Sequence, residues 1–374
     1  MKQIGVNIHN LVGQGYDGAA VMSGKCAGVQ EKIRTIVPQA LYVHCFAHRL
    51  NLVIVQAVKS VVPVADFFAA LQLCYNFLSG SNVHSRWIAF QKDMYPNEQP
   101  VEFKTMSDTR WACQVRAVSA IKSRFECLIK FLRHVDNTDD NRERALVARN
   151  VLDQIDQKFI YCMLLMHDLL LEAKGASDTL QSPELNFLEA ANLIESLIEE
   201  LETYRSEQKS VDYFENSLDM AKENNLSCCT NQSVRQSTVP SNLDNFVILT
   251  SIGKRDTISG SSDMKKVVLY PVIDVFLSEL RRRFSEQNLE IFRSLSGLDP
   301  TSNKFLDFDR ISPLARHYNL NLADIQMETK QAKRMLEKKG KVFETIDEFA
   351  EFLNPLNLAF SELCKAVKIA MTLP

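Results

Sequence analysis

Three short clusters, all within the first 111 residues, carry side chains able to do chemistry. The first is Asp17, set in Gln14-Gly-Tyr-Asp-Gly-Ala-Ala-Val-Met-Ser-Gly24. A carboxylate flanked by glycines just past a strand sits where α/β sheets collect functional groups. An Asp-Gly pair is more commonly a plain turn, and on this pair alone the turn is the better reading. The second is Cys45-Phe-Ala-His48. An imidazole there could contact a phosphate or assist proton transfer. The competing reading makes Cys45 and His48 core residues at the start of a helix, and a metal would need two further ligands. The third is Asp108-Thr-Arg-Trp111. Arg110 and Trp111 together offer a phosphate-binding fork and a stacking face, although a buried Trp111 anchoring a helical region accounts for the same residues.

These clusters need elements to hold them. Ile8–Val12 is a short apolar run ending at Gly13 and predicts a strand. Gly18–Ile36 predicts a helix stopped by Pro38. Ala40–Val43 predicts a second, buried strand, and Arg49–Val64 a second helix. Two strands each followed by a helix suggest parallel βα units. If strands 8–12 and 40–43 pair in parallel, Asp17 and His48 share one rim of the sheet. Beyond about residue 105 the strand signals fade, and residues 115–374 are expected to be almost wholly helical. Leu152, Ile155, Phe159, Met163, Met166 and Leu170 fall on one helical face, as do Leu185, Leu188, Ala191, Ile194, Ile198 and Leu201. Residues 223–262 are rich in Ser, Asn and Thr and predict a mobile linker. Val267–Phe292 is amphipathic again, as is Phe349–Met371. Lys330, Lys333, Arg334, Lys338, Lys339 and Lys341 form a basic run that the sequence alone presents as a solvated helix face.

The composition sets the outer bounds. Among 374 residues, 46% are hydrophobic and 24% charged, which suits a globular chain and excludes disordered, collagen-like and disulfide-scaffold classes. The length predicts about two domains. No stretch reaches the roughly 18 apolar residues of a membrane span; the longest, Phe159–Met166, is interrupted by His167-Asp168 and predicts a buried helix. The first residues show no signal-peptide pattern, so the expectation is a soluble, intracellular chain without a membrane partner. The nine cysteines are scattered, with no CxxC, and predict small buried hydrophobes in a reducing compartment. The net charge of −3 conceals an asymmetry: residues 1–135 hold 15 basic and 8 acidic side chains, a balance of +7, leaving −10 for the remainder. A basic first third suits phosphate backbones; chance fluctuation of surface charge explains a surplus of this size equally well.

In order and content, the three clusters resemble the hAT superfamily of DNA transposases. The similarity rests on Gln-Gly-Tyr-Asp-Gly-Ala-Ala-x-Met-Ser-Gly, then Val43-His-Cys-x-Ala-His-x-Leu-Asn-Leu-Val, then Thr-Arg-Trp. Within the superfamily it is nearest in look to the zinc-finger MYM-type protein 1-like, transposase-derived group. It extends over essentially the whole chain and is motif-dense at residues 11–55 and 105–115. The resemblance implies an α+β, mostly α fold: a partial ribonuclease-H-like core over residues 1–104, a helical insertion over 105–345 carrying the linker, and a C-terminal helix over 346–374 returning to the core. It implies that Asp17 matches the second of three carboxylates that together hold two Mg²⁺ ions for strand cleavage and transfer. Cys45 and His48 match the C/D-x-x-H motif near the scissile phosphate. Trp111, with Arg110 beside it, matches the aromatic that stacks on a flipped base. A nuclear location goes with the family.

The departures from the family shape the expectation. The family's first carboxylate precedes the Gly-Tyr-Asp motif, yet none of the 16 residues before Asp17 is Asp or Glu. The third, in a Ser-x-x-x-Glu-Arg block, follows a Leu-Pro such as Leu373-Pro374. The C-terminal dimerisation block around it and any N-terminal zinc-finger modules are not in the sequence either. The expectation is therefore a vestigial Asp17 and His48, an incomplete metal site, no bound cofactor, and a catalytically inactive fragment that contacts DNA, other proteins or itself. Lys25, Lys32, Arg34, Arg49, Arg110 and Arg116 are the cations expected near phosphates. Two rival readings stand beside it: an active, Mg²⁺-dependent transposase with carboxylates drawn from elsewhere in the chain, and a helical interaction module without DNA affinity.

Overall fold

Gly13–Tyr16 (β1) and Leu41–His44 (β2) form a two-stranded parallel sheet in the computed structural model, with Gly13 opposite Leu41 and Tyr16 opposite His44. The structure describes residues 7–16, 18–24, 28–103, 111–181, 187–229, 260–284, 290–291 and 293–373. The parallel pairing agrees with the expectation, but the first strand lies later than Ile8–Val12. Ile8–Asn10 is a 3₁₀ turn instead, entered through Asn7, whose side chain accepts the His9 N–H at 3.1 Å. Val12 supplies only a carbonyl to the ladder, accepting the Leu41 N–H at 2.9 Å. The strand is built from Gly-Gln-Gly-Tyr, whose glycines weaken the strand signal.

The expected helix Gly18–Ile36 is two pieces, α1 (Ala20–Ser23) and α2 (Val29–Ile36). Ser23 Oγ donates to the carbonyls of Gly18 and Ala19, both at 3.1 Å. A Cβ on Gly28 would lie 2.5 Å from the Gly24 backbone, so the chain returns on itself at a glycine contact. After β2 come α3 (Phe46–Ser60), α4 (Val62–Ser79) and α5 (Ser81–Met94). The expected helix Arg49–Val64 is thus divided before Pro63, which takes the first turn of α4, where its missing N–H costs nothing. Then follow α6 (Trp111–Ser123), α7 (Phe125–Thr138), α8 (Arg142–Asp153), α9 (Gln157–Leu180), α10 (Phe187–Thr203) and α11 (Glu207–Glu223). The face projected from Leu152 to Leu170 is interrupted, because α8 ends at Asp153 and Asp156 restarts the chain by accepting the Phe159 N–H at 2.8 Å. The remaining elements are α12 (Ser261–Met264), a π-turn at Lys265–Leu269, α13 (Tyr270–Arg283), α14 (Phe308–His317), α15 (Leu322–Lys339), α16 (Ile346–Leu353) and α17 (Ser361–Thr372). Among the described residues from 111 onward there is no strand, so the chain is mostly α with a small parallel β element. Most of the expected linker, residues 230–259, lies outside the described residues.

The chain divides into two compact units. Unit 1 comprises residues 1–53, 175–199 and 278–374. Leu41 and Val43 are buried on one face of its sheet. Tyr318, which follows α14, donates its phenol to the Val12 carbonyl at 2.8 Å, and His317 approaches the Gln39 carbonyl at 3.1 Å. Leu298, Ile311, Leu314, Ile325, Phe349 and Leu363 form a core that joins α14 to α17. Unit 2 comprises residues 54–174 and 200–277 and holds helices and connecting turns, with no strand among its described residues. Residues Phe159–Met166 of α9 are buried throughout, as their apolar run predicts. Trp87 of α5 is buried against Phe103 and Phe131. Helix α4 alone among the described helices has the length and mean hydropathy of a membrane span, and half of it is buried inside the protein. Its Phe67, Leu71, Cys74 and Leu78 pack inward, as in a core helix.

Candidate nucleic-acid interface

The parallel register fixes which side chains gather at the carboxyl ends of the strands. Gln14 and Tyr16 of β1 share a face with their partners Tyr42 and His44 of β2. From there a row of rings runs outward. Tyr16 stacks on Tyr42 with centroids 6.2 Å apart, Tyr42 on His44 at 6.3 Å, and His44 meets His48 of α3 at 5.2 Å. Gln14 closes the inner end of this face, its buried amide donating to the Gln30 carbonyl of α2 at 3.2 Å. At the outer end the chain passes beneath the two imidazoles as Gly18. A Cβ there would lie 2.6 Å from His48 Nε2 and 2.9 Å from His44 Nε2. Only a glycine lets the backbone come this close.

Cys45 and His48 thus stand at one end of the sheet. Cys45 is exposed, and its backbone N–H extends the ladder to the Tyr16 carbonyl at 3.1 Å. His48 is half-buried, which fits neither a fully packed core histidine nor a freely solvated one. Asp17 falls between Tyr16 and Gly18 but lies outside the described residues, as do Lys25 and Arg110. Trp111 begins α6, and its side chain lies outside the described residues too. Lys32, Arg34 and Arg116 are exposed. Arg49 is a correction to the expected set of phosphate contacts. It is buried between Phe46 and Phe284, its guanidinium donates to the Arg283 carbonyl at 3.0 Å, and burial lowers its pKa. It ties α3 to the end of α13 and does not face a ligand.

Sequence reasoning passed over His44, Tyr42 and Tyr16. The signal was the alternation Leu41-Tyr42-Val43-His44, a period-2 pattern that sends the two apolar residues to one face and the two rings to the other.

The described side chains at this rim are rings, two imidazoles and a thiol; the carboxylate of the motif, Asp17, lies outside the described residues. Magnesium takes carboxylate and carbonyl oxygens in an octahedral shell and has little use for imidazole nitrogen or thiol. Among the described residues no three His, Cys, Asp or Glu side chains converge as metal ligands.

A second polar cluster lies inside unit 2, where His167-Asp168 interrupts the apolar run of α9. Lys122 Nζ is 3.0 Å from His167 Nδ1 and 3.7 Å from Asp168, and Tyr213 donates to Asp168 Oδ2 at 2.8 Å. Burial, followed by the Asp168 carboxylate, holds the Tyr213 phenol far above its usual range. These groups satisfy one another and join α6, α9 and α11. The thiols of Cys74 and Cys162 are pushed up to about 12 by burial, which makes them apolar filling and poor nucleophiles. No protein-family model matches the chain, and no solved structure matches it.

Proposed function

We propose that this chain is a hAT-transposase-derived protein that contacts nucleic acid in the nucleus and does not cut it. The observation that carries the reading is the convergence of His44 and His48 on Gly18 at the carboxyl end of a parallel strand pair. That is where a partial ribonuclease-H-like core, interrupted by a helical insertion, would present its Gly-Tyr-Asp and Cys-x-x-His motifs together. The stacked rings and the imidazoles supply contacts to bases and phosphates. Cleavage asks for more. Two-metal hydrolysis needs several carboxylates to neutralise and fix its ions, and the sequence motifs supply Asp17 alone.

The test is incubation of the full chain with hairpin-forming and linear duplexes in Mg²⁺ or Mn²⁺, alongside binding titrations at two salt concentrations. The expected result is intact DNA and binding that weakens with salt. His48→Ala is expected to weaken binding about tenfold, the worth of one charge-assisted contact. Cleavage that disappears in Asp17→Ala would overturn the claim of inactivity. Absence of binding at low salt would remove the nucleic-acid role and favour the helical interaction module.

A further inference from the structure

Helix α15 distributes its charges unevenly. Ile325, Thr329, Ala332 and Leu336 form its buried stripe, and Glu328 is turned inward. From Lys330 onward the solvent side presents Lys330, Lys333, Arg334, Lys338 and Lys339, with Lys341 just beyond, all exposed. Glu337 is the one acid among them, so residues 330–341 carry +5 in a chain whose net charge is −3. Lys330, Arg334 and Lys338 follow at i, i+4 and i+8, a straight row with steps of about 6 Å. Among the described residues none of these cations forms an ion pair. The acids that follow, Glu344, Asp347, Glu348 and Glu351, make none with α15 either. Lys339 and Lys341 are held over the ring of Phe352, at 5.5 and 5.1 Å from its centroid.

Folding does not account for this row. Cations complement the helix dipole only in the last turn, which covers Lys338 and Lys339 but leaves Lys330, Lys333 and Arg334 unexplained. Like charges four residues apart repel and weaken a helix. Within the chain the dipole thus rewards Lys338 alone of the row, and Lys330 and Arg334 cost stability.

We propose that this face of α15 is a docking surface for the phosphate backbone of double-helical nucleic acid. It rests on the nucleic-acid reading above only for the class of partner, since its residues are separate from those of the rim. Charge complementarity selects the occupant. An anionic bilayer would call for a continuous apolar flank to insert beside the lysines; the stripe of α15 is buried in the core, and Met327 and Val342, the exposed apolar side chains here, stand singly at opposite ends of the row. A protein partner would call for a buried apolar or aromatic anchor at the centre of the contact, and the row has none. A duplex phosphate backbone requires only fixed positive charges in a row.

The experiment follows anisotropy of a labelled duplex of about 20 base pairs with mixed sequence, titrated with the full chain between 50 and 200 mM salt. The variants are the triple substitution Lys330→Glu, Arg334→Glu, Lys338→Glu, its neutral counterpart with Gln at the same three positions, and His48→Ala. All three positions are exposed, and Glu and Gln are good helix formers. Should the Glu variant lose its helical circular dichroism, the Gln variant carries the test. The expected result is at least a tenfold loss of affinity in the triple variants. The slope of log K against log salt is expected to flatten by about 2.7, which is about 0.9 for each of three phosphates, while His48→Ala leaves the slope within one unit. An unchanged slope in a folded triple variant would overturn the proposal, even if His48→Ala abolished binding and so upheld the rim reading. Absence of duplex binding by the unaltered chain would overturn it too, as would binding to phosphatidylserine vesicles that displaces the duplex.

Discussion

Gly18 shows how much one missing methyl group decides. Its backbone passes so close to His48 and His44 that a Cβ would fall inside the contact distance of both rings. Gly18→Ala must push at least one imidazole out of the row that runs back to Tyr16. The expected cost is about 1–3 kcal/mol, the usual penalty for overfilling a packed site, read as a lowered urea midpoint. Asp139 makes a different argument. Its carboxylate is 2% exposed, held by Arg86, by Arg144 at 3.0 Å and by the Asn141 N–H at 2.9 Å. These partners, Arg144 foremost, hold its pKa well below the usual carboxylate range. A depressed folded-state value means that the ionised form stabilises the fold. That contribution is complete above the unfolded carboxylate's pKa of about 3.9 and is lost as the pH falls through the folded value. Asp139→Asn is expected to cost about 1–3 kcal/mol at neutral pH, discounted from a fully buried pair because both arginines reach solvent. Stability profiles from pH 7 down to 2 should show the gap between variant and parent narrowing below about pH 4. A constant gap at all pH values would show that packing, and not charge, is what Asp139 provides. At this scale the sequence was informative where a motif isolates a side chain, as it does for Cys45 and His48. It was not informative for His44, whose role follows from strand register, nor for Asp139, whose two arginines come from 53 residues upstream and 5 downstream.

The helices α15 and α17 complete each other's ends. Helix α17 begins at Phe360, a residue with no side chain to cap it. Its free N–H groups are taken instead by Glu328 of α15, which accepts from Glu362 at 3.3 Å and from Leu363 at 2.7 Å. In return Glu362 accepts the N–H of Asn321, the residue that caps α15, at 2.9 Å. Each helix start thus depends on a carboxylate from the other, which satisfies donors that would otherwise be buried and orphaned. Glu328→Leu is expected to lower stability by about 1–3 kcal/mol, since two buried N–H groups lose their acceptor. Glu328→Gln keeps one acceptor and should cost about half as much. Thermal melts followed by circular dichroism check the order; equal losses in both variants would mean that the side chain's shape matters and its acceptor does not. Such reciprocity leaves no trace in local pattern, whereas the buried run Phe159–Met166 was legible because eight apolar residues in succession permit few other fates. The interruption between α8 and α9 was hidden for the opposite reason. The apolar spacing continues through it, and only the Asp156 cap marks the restart.

At the scale of the molecule, the chain crosses between its two units inside helices. The boundaries at residues 53–54, 174–175, 199–200 and 277–278 fall within α3, α9, α10 and α13. Flexible linkers between domains allow them to unfold separately. A helix that runs on from one unit into the next does not, because melting one half exposes the end of the other and forfeits its hydrogen bonds. We expect these four crossings to couple the unfolding of the two units. No periodicity in the sequence announces this, since apolar spacing tells which face of a helix is buried and not which distant segment buries it. The grouping of residues 175–199 with 1–53 is the clearest case. The coupling predicts one cooperative transition despite the chain's length, and the tryptophans make that measurable. Trp87 and Trp111, the two in the chain, both belong to unit 2, so their fluorescence follows that unit while far-UV circular dichroism follows the helices of both. In urea the two signals are expected to share one midpoint and one slope. Midpoints separated by more than about 0.5 M, well outside fitting error, would mean that the shared helices break at the boundaries and that the units unfold separately. Breaking one crossing on purpose sharpens the test. Lys174→Pro, placed at the boundary inside α9, removes a backbone hydrogen bond and costs about 3 kcal/mol locally. If the coupling holds, both signals shift together to lower urea; if it does not, the two curves separate.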